Sequence, residues 1–107
     1  MECDENHLKK VLAGLAEDPS RIVYTEHFLE KTEQRNIADV FVEDKLMLEK
    51  PKHVKKIENR SGRFELCYSW SDEADLIVVL DVLLVNSVVL VSALPKRIDG
   101  GDGSEKA

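Results

Sequence analysis

Six cations, Lys50, Lys52, Lys55, Lys56, Arg60 and Arg63, form the one concentration of chemistry-bearing side chains in this sequence. Segment 50–63 holds six basic residues against one acidic, in a chain of 107 residues whose net charge is −6. Surface potential decays within a Debye length of about 8 to 10 Å, so a local patch attracts phosphate even on an acidic protein. Arg63 is the preferred phosphate ligand of the set, because a guanidinium fork holds two oxygens at once. The lysines have a second reading, as charges that keep a sheet edge from pairing with a neighbour. Arg63 has one too, a cross-strand pair with Glu58 or Asp75. Lys96 and Arg97 close the last apolar run and either join the patch or solubilise the border of the ordered domain.

Other chemistries find little support. There is no phosphate-cradling glycine loop, nucleophile elbow, internal repeat or metal-ligand pair. His7, His27 and His53 each lack a second histidine three or four residues away, so neither zinc nor another cofactor is expected. Cys3 and Cys67 are too few for a disulfide framework, which fits a reducing cytoplasm. The acidic start, Met1-Glu2-Cys3-Asp4-Glu5, is not signal-like, and no apolar run approaches the roughly 18 to 20 residues that span a bilayer. Neither export nor membrane insertion is expected. Asp81 interrupts the most apolar run; a carboxylate there must be paired, protonated or near the surface.

The elements that would position these residues follow from periodicity. Leu8, Val11, Leu12 and Leu15 mark one face of a helix over about Asp4 to Glu17. Asp18-Pro19-Ser20 breaks the chain, and Ile22-Val23-Tyr24 reads as a short extended stretch. A second helix, Thr25 to Arg35, has Thr25 as N-cap and Asn36, tolerant of the left-handed conformation, as its stop. A third begins near Ala38 or Asp39, carries Phe41, Val42, Leu46 and Leu48, and ends at Pro51. The basic strand, about Lys52 to Glu58, leads into three apolar segments, Phe64 to Trp70, Leu76 to Leu84 and Val88 to Leu94, in the manner of an antiparallel meander. The first alternates and so has one covered face. The other two do not, which asks for cover on both faces of the sheet, from a helix or a second subunit. A chain this long fits one domain.

The order of parts carries a resemblance. Tyr24-Thr25-Glu26-His27 opens a helix, Glu33-Gln34-Arg35-Asn36-Ile37 joins it to the next, Lys50-Pro51 ends that, and Gly62-Arg63-Phe64-Glu65-Leu66-Cys67-Tyr68 enters the meander. In this the chain, from Arg21 to Ile98, resembles a family of small bacterial and archaeal proteins often grouped with the RelE and ParE toxin superfamily. Asn36 stands where that junction usually has glycine. Ala38 stands where serine or threonine would cap the third helix, at a cost of about 1 kcal/mol. The helix over 4–17 lies outside the shared core and is available to cover the second sheet face.

The resemblance implies an α+β fold, RelE-like, with N-terminal helices packed on a four-stranded antiparallel sheet. It would form one domain over 1–98, made of an extra helix at 4–17 and a toxin-like core at 21–98, followed by a disordered tail at 99–107. It also implies RNA binding or metal-independent RNA cleavage, in which a ribose 2′-hydroxyl attacks the neighbouring phosphate. Such a reaction needs a proton acceptor, cations for the phosphoryl oxygens and an acid for the leaving oxygen. His27 and Arg63 would be catalytic, and Lys52, Lys55, Lys56, Arg35, Lys96 and Arg97 would hold the phosphates. Tyr68 could also serve. Against these roles stand local hydrogen bonding or packing against the sheet for His27, and core packing for Tyr68 with its hydroxyl bonded at the edge. Three function classes remain: an RNA-cleaving toxin-like enzyme, a non-catalytic domain that binds a protein such as a cognate antitoxin, and a domain that uses its apolar strands to form a homodimer.

Overall fold

The computed structural model describes residues 5–58, 62–83 and 87–97. The first helix, α1 (Glu5–Leu15), buries the four residues of its apolar stripe, Leu8, Val11, Leu12 and Leu15. A single 3₁₀ turn at Pro19–Arg21 leads to β1 (Ile22–Tyr24). Thr25 then starts α2 (Glu26–Gln34): its hydroxyl accepts from the Phe28 amide at 3.0 Å and donates to the Leu90 carbonyl at 2.9 Å. One side chain thus satisfies an orphan amide of the helix and ties the helix to the sheet.

Helix α2 ends as Asn36 leads one to expect. Asn36 has φ 56°, and around it the Ile37 amide donates to Thr32 O at 2.8 Å and the Asn36 amide to Glu33 O at 3.2 Å. That pair of bonds is the Schellman ending, with buried Ile37 as its apolar contact. Ala38 precedes α3 (Asp39–Leu48) with no side-chain cap bond.

Strands β2 (His53–Lys56), β3 (Arg63–Ser69), β4 (Ala74–Leu83) and β5 (Ser87–Arg97) form the antiparallel meander. The sheet is nevertheless five-stranded and mixed, in the order β1-β5-β4-β3-β2, because β1 pairs in parallel with β5 through Ile22↔Val88 to Tyr24↔Leu90. This corrects the expected four-stranded antiparallel sheet. Three residues are too few for alternation to reveal a strand, and parallel pairing needs a partner far along the chain. No described helix is long and apolar enough to cross a membrane. The sequence also suggests turns at Asn59-Arg60-Ser61-Gly62 and Val85-Asn86-Ser87; of these 59–61 and 85–86 lie outside the described residues, as do Cys3 and the tail at 99–107.

All three helices share one face of the sheet. Phe64, Leu66 and Tyr68 of β3, Leu76, Val78 and Leu80 of β4, and Val88, Leu90 and Ala93 of β5 join residues of α1, α2 and α3 in a single core. Full burial of each large side chain is worth about 1.5–3 kcal/mol, which fixes the inward face. Among the described residues the expected cover on both faces is not found, and α1 does not lie on the second one. Between Val79 and Leu80 the register of β4 on β5 shifts: Val79 faces Ser92 whereas Leu80 faces Leu90, so Val91 is the extra residue of a bulge. Without it, Ser92 and not Ala93 would enter the core.

Two glycines report on this framework. Gly62 has φ 80°, and a Cβ there would lie 3.1 Å from the Val82 carbonyl oxygen. Gly14 sits in α1, where an added Cβ makes only an ordinary contact with Arg21 at 3.5 Å. In urea denaturation, Gly62→Ala is expected to lose about 1–2 kcal/mol and Gly14→Ala to gain about 0.5–1 kcal/mol.

Candidate functional site

The second sheet face carries the odd-numbered residues of β3 and β4 and, beyond the bulge, Ser92, Leu94 and Lys96 of β5. At its centre Ile77, Val79, Val89, Val91 and Leu94 form an apolar patch. Ile77 is shielded by its neighbours, whereas the other four are half-buried. Val23 and Leu83, at the margins, are each 45 % exposed. Polar groups frame the patch. On one flank Arg63 and Asp81 sit opposite each other in the register, and the guanidinium holds both carboxylate oxygens, Nε to Oδ1 at 2.7 Å and Nη2 to Oδ2 at 2.9 Å. At the far end Lys52 Nζ donates to Asp75 Oδ1 at 2.8 Å, and the Cys67 thiol approaches Asp75 Oδ2 at 3.5 Å.

These contacts set the protonation of the groups involved. The Lys52 hydrogen bond holds the Asp75 carboxyl below its ordinary value of 3.8, and Asp75 in turn raises the Lys52 ammonium. Burial, helped by the bond to Asp75, pushes the Cys67 thiol up, which keeps it a poor nucleophile at neutral pH. The Asp81 hydrogen bonds raise the Arg63 guanidinium further still. On the opposite, helix-covered face Tyr68 is fully buried and its phenol is pushed well above its ordinary range by burial. Its hydroxyl has no hydrogen-bond partner among the described residues, which sets aside the expected bond at the edge.

The expected catalytic pair is not assembled. His27 is exposed in the first turn of α2, on the helical side, whereas Arg63 projects from the uncovered side of β3, with β4 and β5 between them in the sheet. Arg63 takes neither Glu58 nor Asp75 but Asp81, the residue directly across from it, which also accounts for the carboxylate in the apolar strand. Arg35 donates through Nη1 to Ala93 O at 2.9 Å and to Ser92 Oγ at 3.3 Å, binding β5 just past the end of β1. Lys55, Lys56, Lys96 and Arg97 are exposed and form no ion pair among the described residues. Lys55 and Lys96 reach the open face, and Lys56 and Arg97 the other side.

Sequence reasoning missed a groove of about 700 Å³ between α1, the end of α3 and β2, walled by Leu8, Leu12, Met47 and Val54. Leu48, 76 % exposed, stands on its rim. Glu5, Lys9, Glu49, Lys50 and Lys52 also line it, and no group of three or more His, Cys, Asp or Glu able to hold a metal occurs among the described residues. Comparison with protein-family models, with curated proteins and with solved structures finds no match to this chain.

Two expectations follow from the pairs. Arg63 and Asp81 are each about one-fifth exposed, so Arg63→Ala should cost about 1–3 kcal/mol by stranding a carboxylate. In a double-mutant cycle the Arg63→Ala/Asp81→Ala protein should lose less than the sum of the single losses. Because its folded pKa is depressed, Asp75 contributes stability that is complete above its unfolded pKa and lost as pH falls through the folded one. Melting temperatures between about pH 2 and 5 should therefore fall less steeply for Asp75→Asn than for the wild type.

Proposed function

We propose that this chain is a non-catalytic interaction domain on the toxin-like scaffold its sequence resembles, and that the uncovered sheet face is where a protein docks. The observation that carries this reading is the apolar centre around Val79, framed by charged residues of which Arg63–Asp81 and Lys52–Asp75 are already paired. Such a face has the anatomy of a protein interface, with a nonpolar middle and a polar rim. Cleavage of RNA asks His27 and Arg63 to act on one phosphate within hydrogen-bond reach. Here the sheet stands between them, and the fork of Arg63 is filled by Asp81.

RNA binding without cleavage is the second reading, favoured by Lys55 and Lys56 on the outermost strand. It lacks a stacking platform, since Tyr24, Phe28, Phe41, Phe64, Tyr68 and Trp70 all belong to the core side. Contact with RNA would then be electrostatic and weaken with salt, with a slope of about 0.7 per phosphate contact for a single strand.

The two readings separate on two variants, Val79→Lys and Lys55→Glu/Lys56→Glu, each checked for an unchanged circular dichroism spectrum. The interaction reading expects a protein cross-linked to the chain in cells, another copy of it included, to be lost with Val79→Lys and kept with the lysine variant. It also expects single-stranded RNA to bind weakly and without dependence on Val79. Salt-sensitive RNA binding that is abolished by the lysine variant, alongside cross-links indifferent to Val79, would overturn it.

A further inference from the structure

We infer that the occupant of the open face is a second copy of this chain, packed sheet against sheet. The inference rests on reading that face as a docking surface and names its partner. Charge is the first argument. Lys52, Lys55, Arg63 and Lys96 reach this face against Glu65, Asp75 and Asp81, four bases to three acids. With the chain at −6, everything outside the face sums to −7. The remainder of the chain is thus acidic on balance, whereas this face is nearly neutral. Two of its acids are already held by two of its bases. Its small net charge gives little self-repulsion, and the charges outside those two pairs, Lys55, Lys96 and Glu65, include the cross-strand neighbours Lys55 and Glu65.

The sheet edges make the face, and not an edge, the route of association. Past Leu90 no described strand flanks β5 on the β1 side, but Arg35 occupies the Ala93 carbonyl there, and Pro95, two residues on, has no amide to offer. At the other edge β2 is four residues long and carries Lys55 and Lys56. The edge strands themselves are short, three residues in β1 and four in β2, and offer little to edge-to-edge addition, while face-to-face stacking needs no strand partner. Sheets stack about 10 Å apart, with the interdigitating side chains between them. The patch is central, on β4 and β5, so a two-fold axis in its plane brings Val79 of each copy near the middle of the contact.

Size indicates the class of contact. Four strands by six residues cover roughly 400 Å² in projection, against about 800 Å² of accessible surface on each partner of a standard interface. Area does not set affinity, but a contact below the standard size belongs with weak, reversible associations, of micromolar or higher dissociation constant.

Sedimentation equilibrium of the full chain from roughly 5 µM to 1 mM covers associations of that strength. The wild type is expected to move from one chain mass to two across it. Val79→Arg, with an unchanged melting temperature, should raise the dissociation constant at least tenfold. A wild type that stays at one chain mass throughout overturns the dimer, as does self-association that Val79→Arg leaves untouched. A soluble paramagnetic probe, read on the methyl groups of Val79, Val89 and Leu94 in dilute protein, tells the two failures apart. Strong relaxation in a chain that never dimerises leaves the docking face standing without this partner. Shielded methyls in such a chain remove both the face and the dimer.

Discussion

One-sided burial is the constraint on which the rest of this fold depends. Three central strands contribute nine side chains to a single face, from Phe64 on β3 to Ala93 on β5, and three helices close over that face alone. The arrangement requires the pleats of β4 and β5 to agree along their whole length, and they do so only because Val91 is spare. A strand whose period slipped by one would turn Ser92 inward and Ala93 outward, exchanging a small apolar residue for an unpaired hydroxyl. The bulge therefore keeps the core apolar and at the same time places Val91 beside Ser92 on the uncovered side.

What the second face does follows from what the first has taken. Every described aromatic ring is committed to the core side, including Trp70, which packs on Phe41 at 5.7 Å between centroids. The uncovered side is left with aliphatic residues and with ion pairs, Arg63–Asp81 between neighbouring strands and Lys52–Asp75 from just before β2 across β3 to β4. These pairs let charges live on half-buried strands, Asp81 through Arg63 and Asp75 through Lys52. They also occupy Arg63 and Lys52, two of the cations that would otherwise meet a phosphate. A surface so composed is suited to contact with protein and poorly suited to acid–base chemistry on RNA.

Much of the helical layer is legible in the sequence. The spacing of Leu8, Val11, Leu12 and Leu15, the cap at Thr25 and the left-handed stop at Asn36 are local signals, and local bonds enforce them. Alternation likewise identified the inward side of β3. The strand β1 was visible only as an extended stretch, because its identity lies in a parallel partner more than sixty residues away. In β4 and β5 uniform runs of Val, Leu and Ile hide both the bulge and the facing direction, so a half-exposed apolar face looks the same as a buried one. For the candidate site, the sequence pointed to Arg63 and Asp81 separately. Register, which no single segment encodes, is what makes them partners and leaves His27 on the other side.

The central claim is that α1, α2 and α3 occupy the same side of the sheet, and methyl nuclear Overhauser effects from Leu8, Leu12 and Leu15 test it most directly. Contacts within about 5 Å of those methyls are what the experiment reads. Cross-peaks to core-side residues such as Val88, Leu90 and Ala93, with none to Val79, Val89 or Leu94, are the result this account predicts. Cross-peaks from any of the three α1 leucines to Val79 or Val89, in a sample shown to be monomeric, would contradict it.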